Sequence, residues 1–134
     1  MPSNIVIDTS AILAVLLDEA EKEAVVERTM GTALSAPASL RWEVGNAATA
    51  AVKRRRLTPE RARQLMTDFE SVTIRELAID VVRAVDLGLE LGIYAYDAYI
   101  LEAARSSGFP LLALDGPIQR NAKKIGLSLV ELDL

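Results

Sequence analysis

Two acidic residues follow apolar runs of the kind that form buried strands. Asp8 ends the run Ile-Val-Ile at 5–7, and Asp115 ends the run Leu-Leu-Ala-Leu at 111–114. In open parallel sheets, ligands bind beyond the carboxyl ends of the strands, so an acid in this position lies near the expected site. Each acid also has a simpler interpretation: Asp8 caps a helix, and Asp115 belongs to an Asp-Gly-Pro turn.

Two further acids lie on the first turns of predicted helices. Asp97 occupies the apolar stripe of its helix. Burying a lone carboxylate there costs on the order of several kcal/mol of folding free energy, unless the carboxylate is paired or bound to a metal. Glu43 lies at the edge of the apolar stripe of another helix, and Asn46 shares its face. A simpler interpretation again exists, because the dipole at a helix N-terminus favours an acid.

The composition restricts the available chemistry to carboxylates. The chain has no histidine and no cysteine. This excludes Ser-His-Asp triads, imidazole bases, thiolate zinc sites, cysteine nucleophiles and disulfides. Four carboxylates converging on one cleft would repel one another, and a divalent cation such as Mg²⁺ or Mn²⁺ would relieve that repulsion.

One rival class of enzyme also places acids at strand ends. Phosphatases of the haloacid type need a second Asp two residues after the first, and this chain has Ser10 at that position, which argues against that class.

The pattern along the 134 residues predicts one domain in which strands alternate with helices. We expect strands over 4–8, 33–36, 71–75, 110–114 and 127–132. Helices are expected from 11, with Thr9 or Ser10 as the cap, and over 18–30, 37–56, 58–70, 80–91, 96–106 and 118–124. No two-residue hairpin turn joins any pair of strands. The predicted fold class is therefore α/β, with a parallel sheet and helices on both faces.

Four short sequence elements resemble, in order, those of the PIN domain family. They are Ile-Val-Ile-Asp-Thr-Ser at 5–10, Glu43 with Asn46, Tyr-Asp-Ala-Tyr at 96–99 followed by Leu-Glu-Ala-Ala at 101–104, and Leu-Leu-Ala-Leu-Asp at 111–115. The resemblance covers essentially the whole chain, and the length most resembles the VapC-like toxins of toxin–antitoxin pairs. It implies a single PIN-like nuclease domain over 1–134, a three-layer α/β/α sandwich with a five-stranded parallel sheet in the order 3-2-1-4-5.

The same resemblance implies a Mg²⁺-dependent endoribonuclease, with Mn²⁺ as a substitute, that hydrolyses RNA phosphodiester bonds with metal-activated water. Its catalytic residues would be Asp8, Glu43, Asp97 and Asp115. Asp8 and Asp97 would hold the metal, with Asp115 as a further candidate, and Thr9, Ser10 and Asn46 would support them. Many relatives have Thr or Ser where this chain has Ala113. The alternative is a catalytically degenerate PIN-like domain that acts as a protein- or RNA-binding module.

The charge pattern leaves the partners open. The net charge is −4 and the pI about 4.9, yet Lys53, Arg54, Arg55 and Arg56 form a dense basic run, followed by Arg61 and Arg63. The run is a solvated helix end, an RNA-steering rim or an antitoxin contact. The family resemblance implies a homodimer and a cognate antitoxin, and we expect the helices over 47–65 to expose apolar residues. No targeting or membrane segment is apparent, and the lack of cysteine fits a cytoplasmic protein.

Overall fold

Alternating strands and helices make up the computed structural model, which describes residues 3–134. Within that range there are four strands: β1 (Asn4–Ile7), β2 (Ala33–Pro37), β3 (Arg75–Leu77) and β4 (Leu111–Leu112). The helices are α1 (Thr9–Leu16), α2 (Lys22–Thr29), α3 (Ser39–Lys53), α4 (Pro59–Ser71), α5 (Val81–Leu91), α6 (Ala95–Ser107) and α7 (Gly116–Lys124). None of these helices is long and apolar enough to cross a membrane.

All the strands run parallel in the order β3-β2-β1-β4. This confirms the predicted α/β class and the first four positions of the expected strand order. The chain proceeds from β1 to β2 and β3 on one side, and β4 then pairs with β1 on the other. The strand order therefore reverses between β1 and β4, and the crevice expected at such a reversal lies at their carboxyl ends.

Alternating strand residues build a separate apolar core on each face of the sheet. Ile5 and Ile7 pack in one core, under α1, α2, α3 and α4, whereas Val6 packs in the other. On β4, Leu112 belongs to the first core and Leu111 to the second, which is covered by α5, α6 and α7. This period of two produces the expected three layers, because both faces of each central strand are buried.

The predicted fifth strand over 127–132 is wrong in the described range. This segment makes only an isolated parallel bridge, Leu111 to Leu129, with backbone hydrogen bonds of 2.9 Å from Leu111 to Ser128 and from Val130 to Leu111. The bridge does not extend along β4, and the Ala113 carbonyl accepts from the Gln119 side-chain amide at 2.6 Å. That carbonyl is the next acceptor a ladder with 127–132 would need.

The third strand begins later than predicted. Helix α4 continues through Ser71, and β3 is Arg75–Leu77 rather than 71–75. The alternating residues Val72 and Ile74 pack against the first core, which explains the pattern, but they precede the paired segment. The expected Thr58 cap of α4 is confirmed, whereas α1 is capped by the Asp8 side chain rather than by Thr9 or Ser10.

Candidate active site

Two of the acids are brought together because they follow adjacent strands. The Asp8 backbone N–H donates to the Leu112 carbonyl at 2.9 Å, which joins the ends of β1 and β4. Each acid then caps the helix that follows. Asp8 accepts from the Ser10 N–H, and Asp115 accepts from the Ile118 N–H at 3.0 Å. The capping interpretation therefore holds for both, and it also fixes both carboxylates at this edge of the sheet.

Ser10 ties the loops that carry these two acids. Its hydroxyl donates to Asp8 Oδ2 at 2.7 Å and accepts from the Leu114 N–H at 2.9 Å. Asp8 itself is only 4% exposed. A buried carboxylate requires hydrogen-bond partners, and Ser10 supplies two of them, through its hydroxyl and its backbone N–H.

Glu43 reaches the same edge from α3, the helix that follows the neighbouring strand β2. Helix α3 begins just after β2, so its first turns lie at the carboxyl end of the sheet. The Thr9 hydroxyl donates to Glu43 Oε2 at 2.5 Å, across 34 positions of sequence. Thr9 therefore joins the start of α1 to the start of α3.

Asp97 approaches from the other face of the sheet, on the first turn of α6. Its carboxylate is half-buried, and its neighbours along the helix, Leu101 and Ala104, lie in the second core. This agrees with the apolar-stripe position predicted for it. The four acids therefore converge on one edge from four different helices.

Burial and mutual repulsion raise the pKa of three of these carboxyls. For Asp8, burial raises the pKa, opposed by the hydrogen bonds from Ser10 and Thr9, and the charge of Asp115 adds to the rise. Burial raises the pKa of Glu43 to about 7, with contributions from the charges of Asp8 and Asp97. Burial also raises the pKa of Asp97, together with the charges of Asp115 and Asp8. Each of the four charges thus acts on at least one of the others, which makes them a single electrostatic group.

These oxygen donors suit a hard divalent cation, because a bound positive charge would offset the repulsion between them. Over residues 3–134, however, no three Asp or Glu side chains are grouped closely enough to ligate a metal as they stand. The hydrogen bonds give a reason: Asp8 and Asp115 are turned toward helix N-termini, and Glu43 toward Thr9. Asp8, Asp97 and Asp115 have the chemistry of a cation site, but their side chains would have to turn inward to close on an ion.

Other residues expected near the site lie further out. Asn46 follows Glu43 by one turn of α3 and is exposed. The basic run begins at Lys53, at the opposite end of α3 and about 15 Å from Glu43 along the helix axis. Arg61 is used structurally, because it donates to the Leu16 carbonyl at 2.7 Å. The structure therefore does not bring the basic run to the carboxylates.

Sequence reasoning gave no individual role to several residues that the structure makes prominent. Glu102 is 1% exposed and is paired with Arg105 at 2.6 Å and Arg83 at 3.7 Å, which joins α6 to α5. Its spacing of three from Arg105 was the available signal. Trp42 and Tyr96 are exposed, and each directly precedes one of the site acids. The sequence shows this adjacency, but it does not show that the two side chains are exposed.

Comparison with known proteins agrees with this architecture. The family model for the PIN domain matches residues 5–124. The structure is similar to PAE2754 from Pyrobaculum aerophilum, with a TM-score of 0.71 and 21% identity, covering 90% of this chain and 81% of that one. It is also similar to VapBC2 from Rickettsia felis (TM-score 0.68, 14% identity, 97% and 99% covered). A third is Mycobacterium tuberculosis VapC20 (TM-score 0.65, 17% identity, 94% and 98% covered). No curated protein sequence matches the chain.

Proposed function

The chain belongs to the PIN domain family, and from this we propose that it is a Mg²⁺-dependent endoribonuclease, the toxin of a VapBC-type pair. One observation carries the proposal: four carboxylates form one electrostatic group at the reversal point of the sheet. The similarity to VapC20, described as a sarcin–ricin loop cleaving toxin, supports RNA as the substrate.

Each acid has a distinct role in this proposal. Asp8 and Asp97 would hold Mg²⁺ or Mn²⁺, with Asp115 as a further ligand. The bound cation would supply positive charge to the scissile phosphate and to the attacking water. The Thr9 hydroxyl donates to Oε2 of Glu43, and the Glu43 carboxylate would accept a hydrogen bond from that water. In the cation-free protein the pKa of this carboxyl is raised to about 7, chiefly by burial, which makes it a stronger base than an ordinary glutamate, as a general base requires.

Single acid-to-amide variants test this assignment. We expect Asp8→Asn, Glu43→Gln, Asp97→Asn and Asp115→Asn each to lower the rate of cleavage of a labelled single-stranded RNA by about 100-fold or more. Glu60→Gln, which changes an exposed acid on the first turn of α4, is the matched control and should retain the rate. Unchanged cleavage in the four site variants would remove the carboxylates from the reaction.

A binding module without catalysis is the second candidate, and one observation favours it. In the described residues, no three of the acidic side chains are grouped closely enough to ligate a metal. This candidate predicts that the wild type binds RNA or a protein partner but does not cleave RNA at any Mg²⁺ or Mn²⁺ concentration. Metal-stimulated cleavage that is lost in the amide variants would exclude it.

The groove between α3 and α4 supports an antitoxin as the protein partner. Its floor is apolar, with Ala48, Val52, Ala62 and Met66, and Lys53 and Arg63 lie on its rim. Such a groove complements a segment with apolar anchors and acidic flanks. The similarity to VapBC2, solved bound to a DNA fragment from its promoter, supports an antitoxin that also binds DNA.

The basic run distinguishes the two partners. Replacing Arg54, Arg55 and Arg56 with Ala should weaken RNA binding and reduce its salt dependence if the run contacts phosphates. Retained RNA binding with loss of antitoxin binding would assign the run to the protein partner. If neither changes, the run is a solvated helix end. Metal binding should stay the same in all three cases.

A homodimer is supported by a different face from the one the sequence suggested. The predicted apolar exposure over 47–65 is wrong in part, because Leu65 and Ala48 are buried. The exposed apolar stripe lies instead on α5, where Val82, Val85 and Leu89 face outward. A helix with one face packed on α6 and another apolar face in solvent is suited to a second copy. Leu89→Lys should then shift the sedimentation coefficient from that of a dimer to that of a monomer.

A further inference from the structure

The exposed aromatic side chains are gathered beside the site acids. The chain has six aromatic residues, and both phenylalanines pack against the cores. By contrast, Trp42 is 59% exposed, Tyr94 89% and Tyr96 48%. Trp42 directly precedes Glu43, Tyr96 directly precedes Asp97, and Tyr94 caps α6 at the same end. Exposed aromatic residues therefore adjoin two of the site acids in sequence, one on the first turn of α3 and one on the first turn of α6.

The backbone directs these rings toward the edge that carries the acids. Trp42 lies on the first turn of α3, which starts at the carboxyl end of β2. Side chains on a helix lean toward its N-terminus, so the indole leans toward that edge rather than toward Lys53. Tyr96 packs edge-on against Tyr99, with ring centroids 5.9 Å apart and planes at 83°. This contact holds the Tyr96 ring in place and leaves about half of the residue exposed.

The basic run does not draw RNA onto this edge, because it lies about 15 Å away along α3. The four site acids repel phosphates, and the cations nearer to them are single arginines, such as Arg120 beside Gly116 and Arg41 before Trp42. Base stacking on aromatic rings does not depend on positive charge, because every base presents a π-face. Bases in a duplex are already stacked on one another, so only unpaired nucleotides can use such rings.

We propose that Trp42 and Tyr96 are base-stacking residues that hold unpaired nucleotides of single-stranded RNA on either side of the carboxylates. The inference rests on the proposed ribonuclease function and adds the residues that select unpaired RNA. Tyr94 extends the same surface by one further ring. The aromatic rings thereby supply contacts to RNA bases that the site acids do not make.

Trp42 is the only tryptophan, so its fluorescence reports on this contact directly. The Asp97→Asn variant, which should not cleave, is titrated with a single-stranded oligoribonucleotide and with the same sequence as a duplex. We expect the single strand to quench the fluorescence and the duplex not to. In the same background, Trp42→Ala and Tyr96→Ala should each weaken binding, measured by anisotropy of a labelled RNA, by about 10-fold or more.

Matched variants separate stacking from simple loss of apolar surface. Trp42→Phe and Tyr96→Phe keep a π-face and should bind within about threefold of the parent. Met30→Ala changes an exposed apolar residue at the C-terminal end of α2 and should bind normally. Circular dichroism and melting temperature confirm that each variant is folded.

The outcomes distinguish the stacking inference from the nuclease itself. Wild-type cleavage with no quenching, and with normal binding by both alanine variants, overturns the stacking role and leaves the ribonuclease intact. Quenching by single strands without any wild-type cleavage supports stacking and overturns the proposed enzyme. Equal quenching by duplex RNA overturns the selection of unpaired bases. Alanine variants that lose only a protein partner assign the rings to that partner and overturn the inference.

Discussion

Replacing Glu43 with Gln should stabilise the protein at neutral and alkaline pH when no divalent cation is present. In the folded protein, burial and the charges of Asp8 and Asp97 raise the pKa of this carboxyl from its ordinary 4.5 to about 7. A glutamine side chain is neutral at every pH, and its amide oxygen can still accept the hydrogen bond from the Thr9 hydroxyl. The substitution therefore removes the charge and keeps the contact.

The sign of the effect follows from linkage. Below pH 4.5 the Glu43 carboxyl is protonated in both folded and unfolded chains, so its titration costs no stability. Between pH 4.5 and about 7 the unfolded chain has released this proton and the folded chain retains it, so stability falls as the pH rises. Above about pH 7 the loss is complete. A pKa difference of this size corresponds to about 3 kcal/mol for a fully buried group. Glu43 is half-buried, so solvent screening reduces the cost to about 1–2 kcal/mol.

Urea unfolding of both proteins in EDTA, from pH 4 to pH 8.5, measures this cost. The difference between the two curves measures the Glu43 charge together with its interaction with Asp8 and Asp97, because all other acids titrate in both proteins. We expect no difference at pH 4 and an advantage of about 1–2 kcal/mol for Glu43→Gln at pH 8. Glu60→Gln, an exposed control, should follow the wild type throughout. Parallel curves for wild type and Glu43→Gln would refute the view that Glu43 is held in an electrostatically unfavourable site.

Three further perturbations test other parts of the account. Asp97→Asn should retain its fold. Mg²⁺ should raise its melting temperature less than that of the wild type, because the cation binds the native site. A large loss of stability in the variant, with no Mg²⁺ effect on the wild type, would show that Asp97 has a structural role at the start of its helix. Ser10→Ala should cost about 1–3 kcal/mol in urea unfolding, since it leaves the Leu114 N–H without its partner and removes a bond to Asp8; no loss would mean that Ser10 does not tie the two loops. Glu102→Ala should cost about 1–3 kcal/mol, less than a fully buried pair because Arg83 and Arg105 reach solvent, and should leave RNA cleavage per folded molecule unchanged.

The site edge was predictable because its main determinants are local. An acid after an apolar run, such as Asp8 or Asp115, lies at the carboxyl end of a parallel strand wherever that strand pairs. The stripe position of Asp97 was also readable from helical spacing. These patterns predicted the sheet class and the edge at which the acids meet, whereas the strand order was implied by the family resemblance.

The features that the sequence did not predict depend on contacts between residues far apart in the chain. The segment 127–132 has the apolar alternation of a strand, yet its pairing with β4 stops at the bridge between Leu111 and Leu129, and local pattern does not predict how far two strands pair. The bond from Thr9 to Glu43 spans 34 positions, and no spacing rule predicts it. Likewise, the distance of the basic run from the carboxylates follows from the length and direction of α3, not from its composition.

Identification of the RNA product ends tests the central claim most directly. The chain has no histidine, so a route through the 2′-hydroxyl with paired imidazoles is closed, and attack by water leaves a 5′-phosphate and a 3′-hydroxyl. We expect a single-stranded RNA to be cut to such ends in Mg²⁺ or Mn²⁺, with cleavage abolished by EDTA and restored by added Mg²⁺. Cleavage that persists in EDTA, or products that carry a 2′,3′-cyclic phosphate, would contradict a carboxylate-held cation as the basis of the reaction.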